Sequence, residues 1–204
     1  MLPTEDVNGQ PLAPESVHMM DYLKTRAAAL TTAMIRERIR AAARELEVVA
    51  AEVSAADARS RPVAGKWNIA EVVDHISQTQ IRGAEELRHL LAGRRPPLPP
   101  VYEGIRSGAA QWLPWPMMLK ELHAANEAML ELMDSAPEGP VPDGAPTVKT
   151  VMVTLRVLPD GSEGPQIYFA ELGWKEYALL QRLHLLDHRT QIRKLRENCG
   201  AVSA

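Results

Sequence analysis

The segment EYALLQRLHLLDHRTQIRKLRE, residues 176–197, decides how this chain is read. Set on heptads, its a and d positions are Tyr177, Gln181, His184, His188, Gln191 and Leu195. At about 100° per residue, His184 and His188 project only ~40° apart and lie one helical turn apart. Leu180 lies on the same stripe. Polar groups thus occupy the middle of a seam that begins and ends apolar. An unsatisfied buried polar group costs roughly 1–3 kcal/mol, so the fold has to supply partners for two imidazoles and an amide. Hydrogen bonds from Asp187 or Gln191 are one solution. A transition metal is the other, because an i, i+4 histidine pair offers two ligands in cis to zinc, nickel, copper or ferrous iron. Gln191 is then either an outer hydrogen-bond partner of a ligating imidazole or a seam amide pairing across helices.

Working outward, the same periodicity predicts three further helices. From Asp21 to about Ala56, apolar residues recur at Leu23, Ala27, Leu30, Met34, Leu46, Val49 and Val53, which reads as one long amphipathic helix. Residues 57–65, DARSRPVAG, end it. A second helix begins at Asn68, whose side chain can cap the N–H of Glu71 in a variant of the capping box, with Trp67 placed to staple against Val72. Its stripe is Ile69, Val72, Val73, Ile76, Leu87, Leu90 and Leu91, and Gly93 followed by RRPPLPP stops it. The third starts near Pro116, with a seam of Leu119, Leu122, Met129 and Met133, and PEGPVPDG (137–144) ends it. Met117, Met118, Trp112 and Trp115 read as core packing at its start.

The period then changes. VKTVMVTLRVL (148–158) is rich in β-branched residues, Pro159-Asp160-Gly161 signals a turn, and PQIYFAEL (165–172) follows, so a β-hairpin over about 148–170 is expected. The last helix runs from about Gly173 to Asn198, with Gly200 as terminator. The expected fold is all-α: a four-helix bundle with a small hairpin inserted between the third and fourth helices. Residues 1–18, with three prolines and little apolar material, read as a flexible arm ahead of a single domain over 19–200.

Composition narrows the function. The chain has 204 residues, 46% hydrophobic and 24% charged, an ordinary globular balance. No apolar run reaches the ~18 residues of a membrane span, and the N-terminus lacks the apolar core of a signal peptide, so a cytoplasmic protein is expected. The net charge of −3 argues against gripping nucleic acid through bulk charge, and no membrane partner is expected either. Cys199, the single cysteine, allows no internal disulfide and lies too far along the last helix from the histidines to serve them as a nucleophile. Glycine-rich phosphate loops, GxSxG, HExxH and paired CxxC motifs do not occur.

A third imidazole has to come from another helix. His75, on the second helix, lies about 110° from the centre of its apolar stripe, on a flank. His123, beside Leu119 and Leu122, competes on geometry, while His18 and His89 fall in the arm and near a helix end. Asp74 and Asp187 point elsewhere and read as solvated or capping groups.

Two blocks carry a family resemblance. GKWNIAEVVDHISQ (65–78) is similar to the W-(S/T/N)-x-x-E-x-x-x-H segment of the DinB-like (DinB/YfiT-type) metalloenzyme superfamily, with Trp67, Asn68, Glu71 and His75 at the pattern positions. HLLDHRTQI (184–192) is similar to that family's HxxxHxxQ, through His184, His188 and Gln191. The resemblance raises His75 above His123. It implies a three-histidine site for a divalent metal (zinc, nickel or ferrous iron) formed by His75, His184 and His188 at one end of the bundle, with Gln191 behind a ligand, often in a homodimer. It further implies an enzyme that activates a low-molecular-weight thiol or a water for transfer to, or hydrolysis of, a small electrophilic substrate. The competing reading is a non-catalytic helical binding or dimerisation module whose metal is structural. The proline-rich 94–100 loop and the hairpin depart from the shortest family members, so no substrate carries over.

Overall fold

Leu30 and Thr31 divide the helix expected over 21–56 into two. In the computed structural model, which describes residues 3–61, 63–101, 104–158 and 161–202, α1 spans Pro14–Ala29 and α2 spans Thr32–Ala51. Leu30 is extended and Thr31 caps α2 by accepting the N–H of Met34. The carbonyl of Leu30, freed by the break, accepts from the buried ammonium of Lys175, which also reaches the Gly139 carbonyl at 2.6 Å. A helical period that runs on across a capping threonine conceals such a joint.

A short α3, Ala55–Arg59, follows, capped by Ser54. Helix α4, Ile69–Leu91, begins as expected: the Asn68 side chain accepts the Glu71 N–H at 2.8 Å and Glu71 accepts the Asn68 N–H at 2.9 Å. It stops with Gly93 at φ +71°, where Gly93 and Arg94 return N–H groups to the carbonyls of Leu90 and His89. A single 3-10 turn, Ala109–Gln111, leads into α5, Trp115–Asp134. At that start Met118 and Trp115 are buried, but Met117 and Trp112 are exposed, which corrects the expectation that all four pack in the core. Trp115 is anchored by its indole N–H on the Val53 carbonyl.

Strands β1, Val148–Val157, and β2, Glu163–Leu172, form the antiparallel hairpin, with Val148 opposite Leu172 and Val157 opposite Glu163. Of the turn signal, Pro159 and Asp160 lie outside the described residues. Helix α6 covers Trp174–Val202, so it runs through Gly200 rather than ending before it. The described residues thus contain six α-helices and one two-stranded sheet. Helix α4 packs against α5 and α6, and α2 packs against the same two. Their apolar faces, including Ile35, Leu46, Ile76, Leu87, Leu122, Met129 and Leu185, form one buried core. Among the described residues no helix is long and apolar enough to cross a membrane.

The N-terminal stretch is not a loose arm through residue 18. Glu5 bridges Pro11, α1 is under way from Pro14, and the buried amide of Gln166 on β2 ties the two together. Its Oε1 accepts from Ala13 N–H and Ser16 Oγ, both at 2.8 Å, and its Nε2 donates to the Pro11 carbonyl. Polar composition reads as solvated, but here the polar groups are consumed by one another.

Candidate metal centre

Helices α4 and α6 run antiparallel, since His75 meets His184, Gly83 meets Gln181 and Glu86 meets Tyr177. Their close approach requires Gly83, where a Cβ would sit 3.0 Å from the Gln181 amide and 3.1 Å from the Met129 methyl. Deeper along the same seam the Glu86 carboxylate is held between the Tyr177 hydroxyl and Arg82, whose Nε lies at 2.8 Å. This pairing satisfies an otherwise costly buried charge.

At the other end of that seam three imidazoles converge. Nε2 of His184 lies 3.1 Å from Nε2 of His75 and 2.9 Å from Nε2 of His188. One nitrogen from each of the three falls within 4.8 Å of the other two, a spacing that could hold a metal ion. His75 is only 9% exposed, so its wheel position on the flank of the α4 stripe turns out to face α6 rather than solvent. His123 is elsewhere, beside Glu47 at 3.1 Å on an exposed face, and His89 pairs with Glu85. Asp187 is exposed, and Cys199 sits with its Sγ 4.0 Å from the Asp57 carbonyl.

Hydrogen bonding fixes two of the three tautomers. His75 Nδ1 donates to the Ile105 carbonyl at 2.9 Å, and His188 Nδ1 donates to Gln191 Oε1 at 2.7 Å. Both Nε2 atoms therefore carry lone pairs, and both point at His184. A proton on His184 Nε2 can serve only one of them, and His184 Nδ1 is itself buried without a partner. Burial lowers the pKa of all three histidines, of His184 well below its ordinary value, where the neighbouring His188 and His75 add to the effect. Neutral imidazoles with inward lone pairs are the form a divalent cation requires. The spacing agrees as well: nitrogens ~2.0–2.1 Å from a tetrahedral zinc lie about 3.3 Å apart.

The support around His75 comes from a loop that sequence reading left unassigned. Asp74, buried at 3% exposure, accepts from Ser107 N–H at 3.2 Å, Ser107 Oγ at 2.7 Å and Gly108 N–H at 2.9 Å. It is a capping group, as one of its two expected roles, but for the 107–108 turn and not for its own helix. That turn sets the Ile105 carbonyl on His75. The Trp67 ring stands 5.0 Å from the His75 ring, and the Arg106 guanidinium lies over Trp67 at 4.7 Å. Trp67 therefore serves as a wall of the site, a role that the helix-start motif containing it does not announce. A cleft of about 350 Å³ beside this loop is lined by Glu71, Asp74, Gly104, Arg106 and Ser107, among others, but by none of the three imidazoles.

The family model of the DinB superfamily matches residues 38–156, more than half of the chain. The chain belongs to that superfamily. The matched span contains Trp67, Asn68, Glu71 and His75 but ends before α6, so His184 and His188 are placed beside His75 by the fold alone. Searches of curated proteins and of solved structures found no match.

Proposed function

We propose that this DinB-superfamily chain holds one divalent metal ion through Nε2 of His75, His184 and His188 and acts with it on a small molecule. The observation that carries the reading is the convergence of three Nε2 atoms, two of them obliged to be lone pairs by the Ile105 carbonyl and the Gln191 amide. When bound, zinc, nickel or ferrous iron supplies Lewis acidity that brings the pKa of a small thiol or a water toward neutrality. The resulting nucleophile is suited to transfer onto, or hydrolysis of, an electrophilic substrate. Within this reading Gln191 and the Ile105 carbonyl orient ligands, Trp67 excludes water from one side, and Arg106 offers a positive charge to an anionic substrate group. Helices α2, α4, α5 and α6 constitute the four-helix bundle that carries the site, in a cytoplasmic protein.

A second reading has its own observation. The cleft beside the 104–108 loop reaches none of the imidazoles, which favours a metal that stabilises the fold without turning over substrate. The two are separated by assaying chelator-stripped and metal-reconstituted protein against a panel of thiol–electrophile pairs and hydrolysable esters and amides. Turnover restored by metal supports the enzyme. A large drop in melting temperature on stripping, with no turnover in either form, supports the structural role, and equal turnover in both forms contradicts metal-dependent chemistry.

A further inference from the structure

Three buried polar atoms along the α4–α6 seam have no hydrogen-bond partner among the described residues: Oε1 of Gln80, Oε1 of Gln181 and Nδ1 of His184. Both glutamines are core residues, 0% and 4% exposed. The register of α4 on α6 brings the three to neighbouring levels. Glu86 faces Tyr177 and Gly83 faces Gln181, so one turn further along Gln80 comes opposite His184. On α6 itself Gln181 and His184 are three residues apart and share a face.

Turning the amides over does not supply the missing partners. The Glu47 carboxylate accepts the Asn126 amide N–H at 2.7 Å, which leaves Asn126 Oδ1 to accept from Gln80 Nε2 at 3.3 Å. Gln80 therefore presents its oxygen on the other side. The Tyr177 hydroxyl donates to Glu86, so its oxygen is left to accept from the Gln181 amide. Gln181 Oε1 is thereby fixed as an acceptor as well. Each orientation is anchored on a carboxylate, through a chain that shares no residue with the other.

We infer that one water molecule is bound between α4, α5 and α6, donating to Gln80 Oε1 and Gln181 Oε1 and accepting from His184 Nδ1–H, and that through it the two glutamines position the third imidazole. Hydrogen-bond arithmetic favours this assignment. Water has two protons to give, and two fixed acceptors are present. It can then take the Nδ1 proton, which is the tautomer that frees His184 Nε2 beside the lone pairs of His75 and His188. With the proton on Nε2 instead, three acceptors would compete for two water protons and one buried group would go unpaired. Internal waters ordinarily make about three hydrogen bonds to buried groups that lack partners within the protein. The water site itself requires no metal. Only its effect on ion affinity rests on the metal reading above.

Crystal structures of the metal-free and zinc-loaded chain, at a resolution that orders internal water, test the site. Ordered density about 2.7–3.2 Å from Gln80 Oε1, Gln181 Oε1 and His184 Nδ1 is expected in both. A dry seam, a glutamine oxygen bonded directly to the imidazole, or density that misses any of the three atoms overturns the inference. Gln80→Met, of similar volume but without the acceptor, tests the positioning role. It should lose the water, raise the Kd for zinc about tenfold, and speed solvent exchange of the His184 Nδ1 proton followed by NMR. A purely packing role for the glutamine would leave that proton's exchange unchanged. If this variant fails to fold, Gln181→Met replaces it. A variant that loses the water and binds zinc as tightly as the parent contradicts the positioning role. If the parent itself binds no zinc, the metal reading fails, and the density in the metal-free chain still decides whether this water is there.

Discussion

Gly104 and Trp67 are so closely apposed that a Cβ on the glycine would fall 2.3 Å from the indole Cη2 and 3.5 Å from His75 Nδ1. The backbone reaches His75 only because residue 104 has no side chain. Gly104→Ala is expected to push the loop and the ring apart, lengthen the Ile105–His75 hydrogen bond, and destabilise the protein by about 1–3 kcal/mol. Zinc affinity, read by competition titration, should fall roughly tenfold through loss of ligand orientation. Unchanged affinity would mean that the loop is not what holds the imidazole.

Asp74 gives a complementary handle on the same loop. Asp74→Ala removes the acceptor for Ser107 N–H, Ser107 Oγ and Gly108 N–H, and the cost should be about 2–3 kcal/mol in denaturant unfolding. Asp74→Asn keeps one acceptor oxygen and should lose less. Equal losses for the two variants would show that packing, rather than hydrogen bonding, is what Asp74 contributes.

Gln191 tests the other side of the site. Its Oε1 is the acceptor that sets the His188 tautomer, so Gln191→Leu should weaken zinc binding about ten- to a hundredfold. Gln191→Glu, which retains an acceptor, should recover most of it. Calorimetric titration of the three proteins separates an orienting role from mere seam packing, in which the leucine variant would bind as well as the parent.

How far these residues were legible from sequence differs from one to the next. The α6 pair announces itself, because two histidines four apart interrupt an apolar seam. Asn68 and Glu71 announce the start of α4 through their capping pattern. His75 does not, since its wheel position depends on which helices flank α4, and that is a tertiary fact. The 104–108 loop was invisible for a different reason: a Gly-Ile-Arg-Ser-Gly stretch carries no period, and its importance lies in one backbone carbonyl that any residue possesses. The Leu30–Thr31 break was hidden because apolar spacing continues across it. The hairpin was visible through its β-branched residues, but alternation alone did not say which face would be buried.

Protonation provides a further test. The folded pKa values of His75, His184 and His188 are all depressed by burial below the ordinary 6.5. Between those values and about 6.5 the unfolded chain binds more protons than the folded one, so stability rises with pH in that window. The contribution is fully present above about pH 7 and is lost in the metal-free protein as pH falls below that and through the depressed folded values. Replacing His184 with leucine should flatten this part of the stability–pH curve. An unaltered slope would place the responsible protons elsewhere.

The most direct measurement is the metal content of protein purified without a histidine tag, set beside that of the His184→Ala/His188→Ala double variant. About one equivalent of zinc, nickel or iron per chain in the parent, and its loss in a variant that still folds, is the expected result. Equal and negligible metal in both, after each has been offered these ions under reducing conditions and dialysed, contradicts a metal centre at His75, His184 and His188.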